Sequence, residues 1–135
     1  MKPTDRMIKL YQQLASHKGE ATDFIIFDET MTSETTPLSF FHVAIWLPEL
    51  KSGVTTFHTL GMSEKFMPGA DYLVELCWKI RGRLKRKQQV LCARYLADVV
   101  AYPYLNDLKL DWWEHIVDAG KIPLFSGCQY ANRRS

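Results

Sequence analysis

The chain has 135 residues, 47% of them hydrophobic and 24% charged, with a formal net charge of +2. That composition fits one globular domain burying roughly two-thirds of its unfolded surface, and it excludes a disordered chain, which would carry fewer aromatics and more net charge. A charge so near zero does not call for nucleic acid as a partner, and no apolar run approaches the roughly 18 residues of a membrane helix.

The N-terminus, MKPTDRMIKLYQQ, carries one early lysine but no uninterrupted apolar segment behind it, so no secretory signal is expected. Residues 4–18 read as an amphipathic helix, with Thr4 as N-cap, Gly19 as the stop, and Met7, Leu10, Tyr11 and Leu14 at helical spacing between them. Three strands follow. FIIF (24–27) is a short apolar run, and FFHVAIWL (40–47) is β-branched and aromatic and closed by Pro48. VTTFHTL (54–60) returns after the loop PELKSG as the second arm of a hairpin.

YLVELCWKI (72–80) has the clearest alternation, with Tyr72, Val74, Leu76, Trp78 and Ile80 on one face and Leu73, Glu75, Cys77 and Lys79 on the other. A wholly apolar face needs a covering layer. Residues 84–101 are expected to supply it as a helix with the stripe Leu91, Cys92, Tyr95, Leu96, Val99 and Val100, stopped by Pro103. DWWEHIV (111–117) reads as a strand or a short helix, with strand the favoured of the two. Its adjacent tryptophans would point to opposite faces, which makes Trp112 a candidate binding residue. The expected fold is therefore α+β: a mostly antiparallel sheet with an N-terminal helix and a second helix packed on it, in a single domain 1–135.

The chemistry-bearing residues are sparse. Cys77, Cys92 and Cys128 are odd in number and widely spaced, so neither a disulfide framework nor a zinc motif is expected, and a reduced, cytoplasmic setting follows. His42 and His58 fall on neighbouring predicted strands, but zinc needs at least three protein ligands and no HxxxH, CxxC or HExxH spacing is present. No metal or cofactor is expected. A thiol enzyme would need Cys77 beside a histidine such as His58 or His115. A neighbouring Glu75 would raise the thiol pKa, the wrong direction for a nucleophile. Ser63 lies in GMSE and not in a GxSxG elbow, and Gly61 reads as a backbone device.

The run KIRGRLKRK (79–87) packs six basic residues into nine positions. No aromatic platform is interleaved, so an acidic protein surface suits Arg81, Arg83 and Lys85 better than nucleic acid.

Taken in order, TTFHTLGMSE, YLVELCWKIRG, the helix ending AYPY, and DWWEH…GKIPLF resemble the bacterial branch of the suppressor-of-fused family. The residues that carry the resemblance are Thr59, Gly61, Met62 and Ser63, then Glu75 and Leu76, then Pro103, then Ile122, Pro123 and Leu124. The resemblance covers most of residues 40–125. It implies a mixed α/β fold and a binding role: animal members bind transcription factors, and bacterial members are viewed as immunity proteins that neutralise toxins of polymorphic toxin systems. It offers no catalytic residues, so the motif is expected to be structural and the partner a cognate toxin. Family members usually continue past Ile-Pro-Leu, whereas this chain closes on SGCQYANRRS. A shortened C-terminus, with pairing of the uncovered region in a homodimer, is expected on that ground.

Overall fold

The computed structural model describes residues 3–27 and 41–109. In chain order these form helix α1 (Asp5–Lys18), strands β1 (Asp23–Phe27), β2 (Phe41–Trp46) and β3 (Val54–Leu60), one 3₁₀ turn (Met62–Glu64), strand β4 (Cys77–Arg81) and helix α2 (Arg86–Leu105). The strands make one sheet in the order β1-β2-β3-β4, and every neighbouring pair is antiparallel. The α+β class is the one the periodicities predict.

Helix α1 begins where a hydroxyl can replace the missing helical acceptor: Met7 N–H donates to Thr4 Oγ1 at 3.1 Å. It ends at Gly19, whose φ of 82° is costly for any residue with a Cβ. Its Met7 joins Ala44, Trp46 and Leu60 of the sheet in a small cluster, with Leu10, Tyr11 and Leu14 packed against it.

Helix α2 covers the opposite face, where Cys92, Ala93, Leu96 and Val100 meet Phe41, Val43, Ile45, Phe57 and Ile80. The sheet thus lies between two helices, and the central strand β2 is buried at five of its six positions. Aromatic pairs carry this core outward: Phe27 stacks on Phe41 at 5.0 Å, and Trp78 bridges Phe57 at 6.0 Å and Tyr95 at 5.5 Å.

The structure corrects the expected boundaries in three places. First, residues 72–76 are not strand; β4 starts at Cys77. The apolar alternation is nevertheless real, because Leu76 and Ile80 lie in the main core and Tyr72, Val74 and Trp78 pack against it. Alternation reports which face a side chain takes, not whether its backbone is laddered.

Second, Pro103 does not stop α2. It is buried within the helix, which continues to Leu105. The stop is Asp107 in the left-handed region at φ 51°, with Asn106 N–H closing on Tyr102 O at 3.1 Å and Leu108 N–H on Pro103 O at 3.0 Å. A proline two residues from a helix end removes one backbone donor, and the packing of its ring outweighs that loss. Third, Leu91 leaves the predicted apolar stripe and stands 42% exposed. The expected strand 111–117 lies outside the described residues, as do Trp112, Ile122, Pro123, Leu124 and Cys128.

Candidate functional site

Four of the motif residues, Thr59, Gly61, Met62 and Ser63, converge on a fifth, the Glu75 carboxylate. Strand β3 delivers Thr59, a fully buried residue, next to the last rung of its ladder with β4, His58 opposite Cys77. The chain then turns at Gly61, whose φ of 126° again favours a residue without a Cβ. The 3₁₀ turn that follows points its first amides toward Glu75.

Oε1 accepts from Thr59 Oγ1 at 2.6 Å and from Met62 N–H at 3.1 Å. Oε2 accepts from Gly61 N–H at 2.8 Å, Ser63 N–H at 3.0 Å and Ser63 Oγ at 2.7 Å. Five donors saturate a carboxylate with about four lone-pair sites. Among the described residues, main-chain and hydroxyl dipoles, and no cation, hold its charge.

This arrangement explains why the strand is interrupted before Cys77. Thr59 N–H still donates to Leu76 O at 2.9 Å, but Leu76 N–H donates to Thr59 Oγ1 at 2.7 Å where a ladder would supply a main-chain carbonyl. The hydroxyl relays between the two segments, accepting from Leu76 and donating to Glu75. Side chains continue the pairing that the backbone gives up.

Tyr104, which sequence reasoning missed, closes the site from α2. Its hydroxyl donates to Lys65 O at 2.9 Å and lies 3.3 Å from Met62 O, so the last turn of the helix is tied to the 3₁₀ turn. Burial, with the nearby Glu75 charge in second place, pushes its phenol up to about 12. The continuation of the helix through Pro103 to Leu105 is what brings it there. Nothing in AYPYL signals this except a tyrosine directly after the proline expected to stop the helix.

Beside the carboxylate opens a cleft of 590 Å³. Arg6, Lys9, Leu10 and Gln13, one face of α1, line it together with Leu73 and Val74, and His58, Ser63 and Glu75 complete the lining. Arg6 Nε donates to Ser63 Oγ at 3.4 Å and stands 4.0 Å from Glu64.

His58 Nδ1 lies 2.7 Å from Thr59 O and is therefore the protonated nitrogen of the neutral ring. Burial holds its pKa below the ordinary 6.5, against the opposing influence of the Thr59 carbonyl and Glu75, while Lys18 lowers it further. Cys77, its cross-strand partner, keeps solvent access as a residue. Desolvation of the thiol still raises its pKa, opposed by Lys79 and Lys18.

A neutral imidazole facing a neutral thiol is not the thiolate–imidazolium pair that thiol catalysis requires. Glu75 does not share a strand face with Cys77 as expected, because its segment leaves the sheet to reach the turn. His42 and His58 occupy the same sheet face but are not opposed: His42 pairs with Leu60 and His58 with Ala44. Among the described residues, no three His, Cys, Asp or Glu side chains come close enough to hold a metal ion.

The basic run is dispersed rather than gathered. Arg81 is exposed on the edge strand β4, the Arg83 guanidinium donates to Pro48 O, and Lys85 caps α2, its N–H donating to Gln88 Oε1 at 3.0 Å. Arg86 pairs with Asp23 at 2.6 Å. Gly82 N–H donates to Gly53 O and Thr55 Oγ1 to Gly82 O, both at 2.6 Å, which pins the run to the hairpin loop. No helix among the described residues is long and apolar enough to cross a membrane.

Comparison of the chain with protein-family models, with characterised proteins and with solved structures returns no match.

Proposed function

We propose that the chain is a protein-binding module, an immunity protein that neutralises a cognate toxin, acting in the cytoplasm. The observation that supports this reading is the state of the motif that carries the resemblance to the suppressor-of-fused family. Its serine, threonine and glutamate are consumed in holding one another and the turn. A carboxylate with five donors on it is not placed to take a proton from a substrate, and a serine bonded to that carboxylate is part of a support. Such a motif serves to fix a surface.

A toxin partner of acidic character suits the exposed Arg81, Arg83 and Lys85 better than nucleic acid does, since these cations interleave no stacking platform. The competing reading, a thiol enzyme, draws on the opposition of His58 and Cys77 in the ladder. The shifts of both groups toward their neutral forms run against it.

The test is growth of cells that co-express this chain with the toxin encoded beside its gene. Protection is expected, and it is expected to survive Cys77→Ser in a folded variant. Absence of an adjacent toxin gene, or no protection from its product, would overturn the proposal. Protection lost by a folded Cys77→Ser would favour the enzyme.

A further inference from the structure

The cleft beside Glu75 has a composition the motif does not require. It is an open cleft, and its volume of 590 Å³ leaves room for a partner's side chain to enter. Leu10, Leu73 and Val74 give it apolar walls, while Arg6 and Lys9 bring two cations one helical turn apart.

The charges do not cancel within the cleft. Glu75 belongs to its lining and keeps its charge, which acts on His58 and Tyr104, but both its oxygens are committed to the turn amides and hydroxyls, and Arg6 and Lys9 outnumber it by one. Arg6 is held loosely, 4.0 Å from Glu64, and its side chain is 54% exposed. Among the described residues no carboxylate pairs with Lys9. Lys18, farther along α1, is near enough for its charge to act on both His58 and Cys77, so the positive field extends along the helix. Gln13 and the neutral His58 add polar groups of either sense.

We infer that this cleft is the recognition site for an acidic side chain of the protein partner, an Asp or Glu set among apolar residues, with Arg6 and Lys9 taking the carboxylate and Leu10, Leu73 and Val74 taking the flanking apolar groups. This assignment rests on the protein-binding reading and names the chemistry of the partner. The field attracts the acid, and the apolar walls shield one side of it from water, so the pairing is somewhat stronger than between two fully solvated charges. Glu75 acts as a positioning residue: it fixes the turn that presents Ser63, and Ser63 in turn receives Arg6.

The experiment is selection of a displayed random hexapeptide library on the full chain, followed by affinity measurement of the recovered peptides. Enriched sequences are expected to contain Asp or Glu next to Leu, Ile, Val or Phe. Replacing that acid by its amide is expected to weaken binding about tenfold or more, as is the double substitution Arg6→Glu and Lys9→Glu. Both positions are exposed, and acidic residues early in a helix suit its dipole, so the variant is expected to fold. Lys9→Glu alone, which leaves the Arg6–Ser63 contact in place, is expected to lose part of the affinity. Resonances of Lys9, His58, Ser63 and Leu73 are expected to shift on titration with a recovered peptide.

Enrichment of peptides without an acid, no enrichment, or full binding by the folded Arg6→Glu, Lys9→Glu variant would overturn the assignment. Equal binding of free hexanoate and a recovered peptide would do so too, by making the cleft a small-molecule site. None of these outcomes bears on protection in the co-expression assay, so failure of the cleft and failure of the immunity reading can be told apart.

Discussion

Replacing Glu75 by alanine deletes the acceptor for five hydrogen bonds at once. A simple sum overstates the effect, because bonds to one group are not independent. The fate of each donor decides the magnitude. Gly61 N–H, Ser63 N–H and Ser63 Oγ sit on the Oε2 side, and Ser63 lines the open cleft, so water entering there can satisfy them. Thr59 Oγ1 and Met62 N–H sit on the Oε1 side and belong to residues with no exposed surface.

A buried donor left without a partner costs about 1–3 kcal/mol; Met62 N–H is left so, while Thr59 Oγ1 falls back on a weak bond to Leu76 O at 3.4 Å, and together they give a loss of about 3 kcal/mol for Glu75→Ala. For a chain of 135 residues that corresponds to a fall of about 10 °C in Tm. Glu75→Gln keeps one carbonyl oxygen but sets an NH₂ against donors, and about half that loss is expected. Urea unfolding followed by circular dichroism measures the loss, and amide exchange at Gly61, Met62 and Ser63 locates it. A Glu75→Ala protein within about 0.5 kcal/mol of the parent would refute the claim that the carboxylate organises this turn.

Three further outcomes are expected. Burial holds His42 and His58 below 6.5, so as pH falls through 6.5 the unfolded chain takes up protons before the folded one, and stability falls. His42→Gln with His58→Gln should flatten urea midpoints between about pH 5 and 7, and an unchanged slope would discount both rings. At the alkaline end the unfolded chain releases the Tyr104 proton first, because the folded phenol stands at about 12. Stability should fall above about pH 10, and Tyr104→Phe should cost about 1 kcal/mol at neutral pH while reducing that fall. A Cβ at Gly53 would lie 2.4 Å from Pro48 Cβ, so Gly53→Ala should destabilise by about 1–3 kcal/mol; a thermal scan showing no change would mean the hairpin loop yields freely.

The parts of this fold legible in the sequence were those set by local chemistry. Thr4 and Gly19 bound α1 because a hydroxyl cap and a left-handed glycine act within a few residues. The apolar alternation of Tyr72, Val74, Leu76, Trp78 and Ile80 correctly marks a face turned to the core, but it cannot report that residues 72–76 leave the ladder. That departure depends on Glu75 meeting Thr59, a residue 16 positions away.

Pro103 was misread for a similar reason. Its local cost to a helix is fixed, whereas the gain from burying its ring and from docking Tyr104 on the 3₁₀ turn exists only once α2 lies on the sheet. The motif residues of the turn could be named individually, each with a local role, yet their common function as donors to one carboxylate is a property of the loop and strand brought together. The same holds for the cleft. Arg6 and Lys9 look like ordinary solvated charges on an amphipathic helix, and only the passage of Leu73 and Val74 beside them gives those charges walls. A cleft built in this way is written across three separated segments, and the physical statement that unites them is the saturated Glu75 carboxylate, which holds Ser63 beside Arg6.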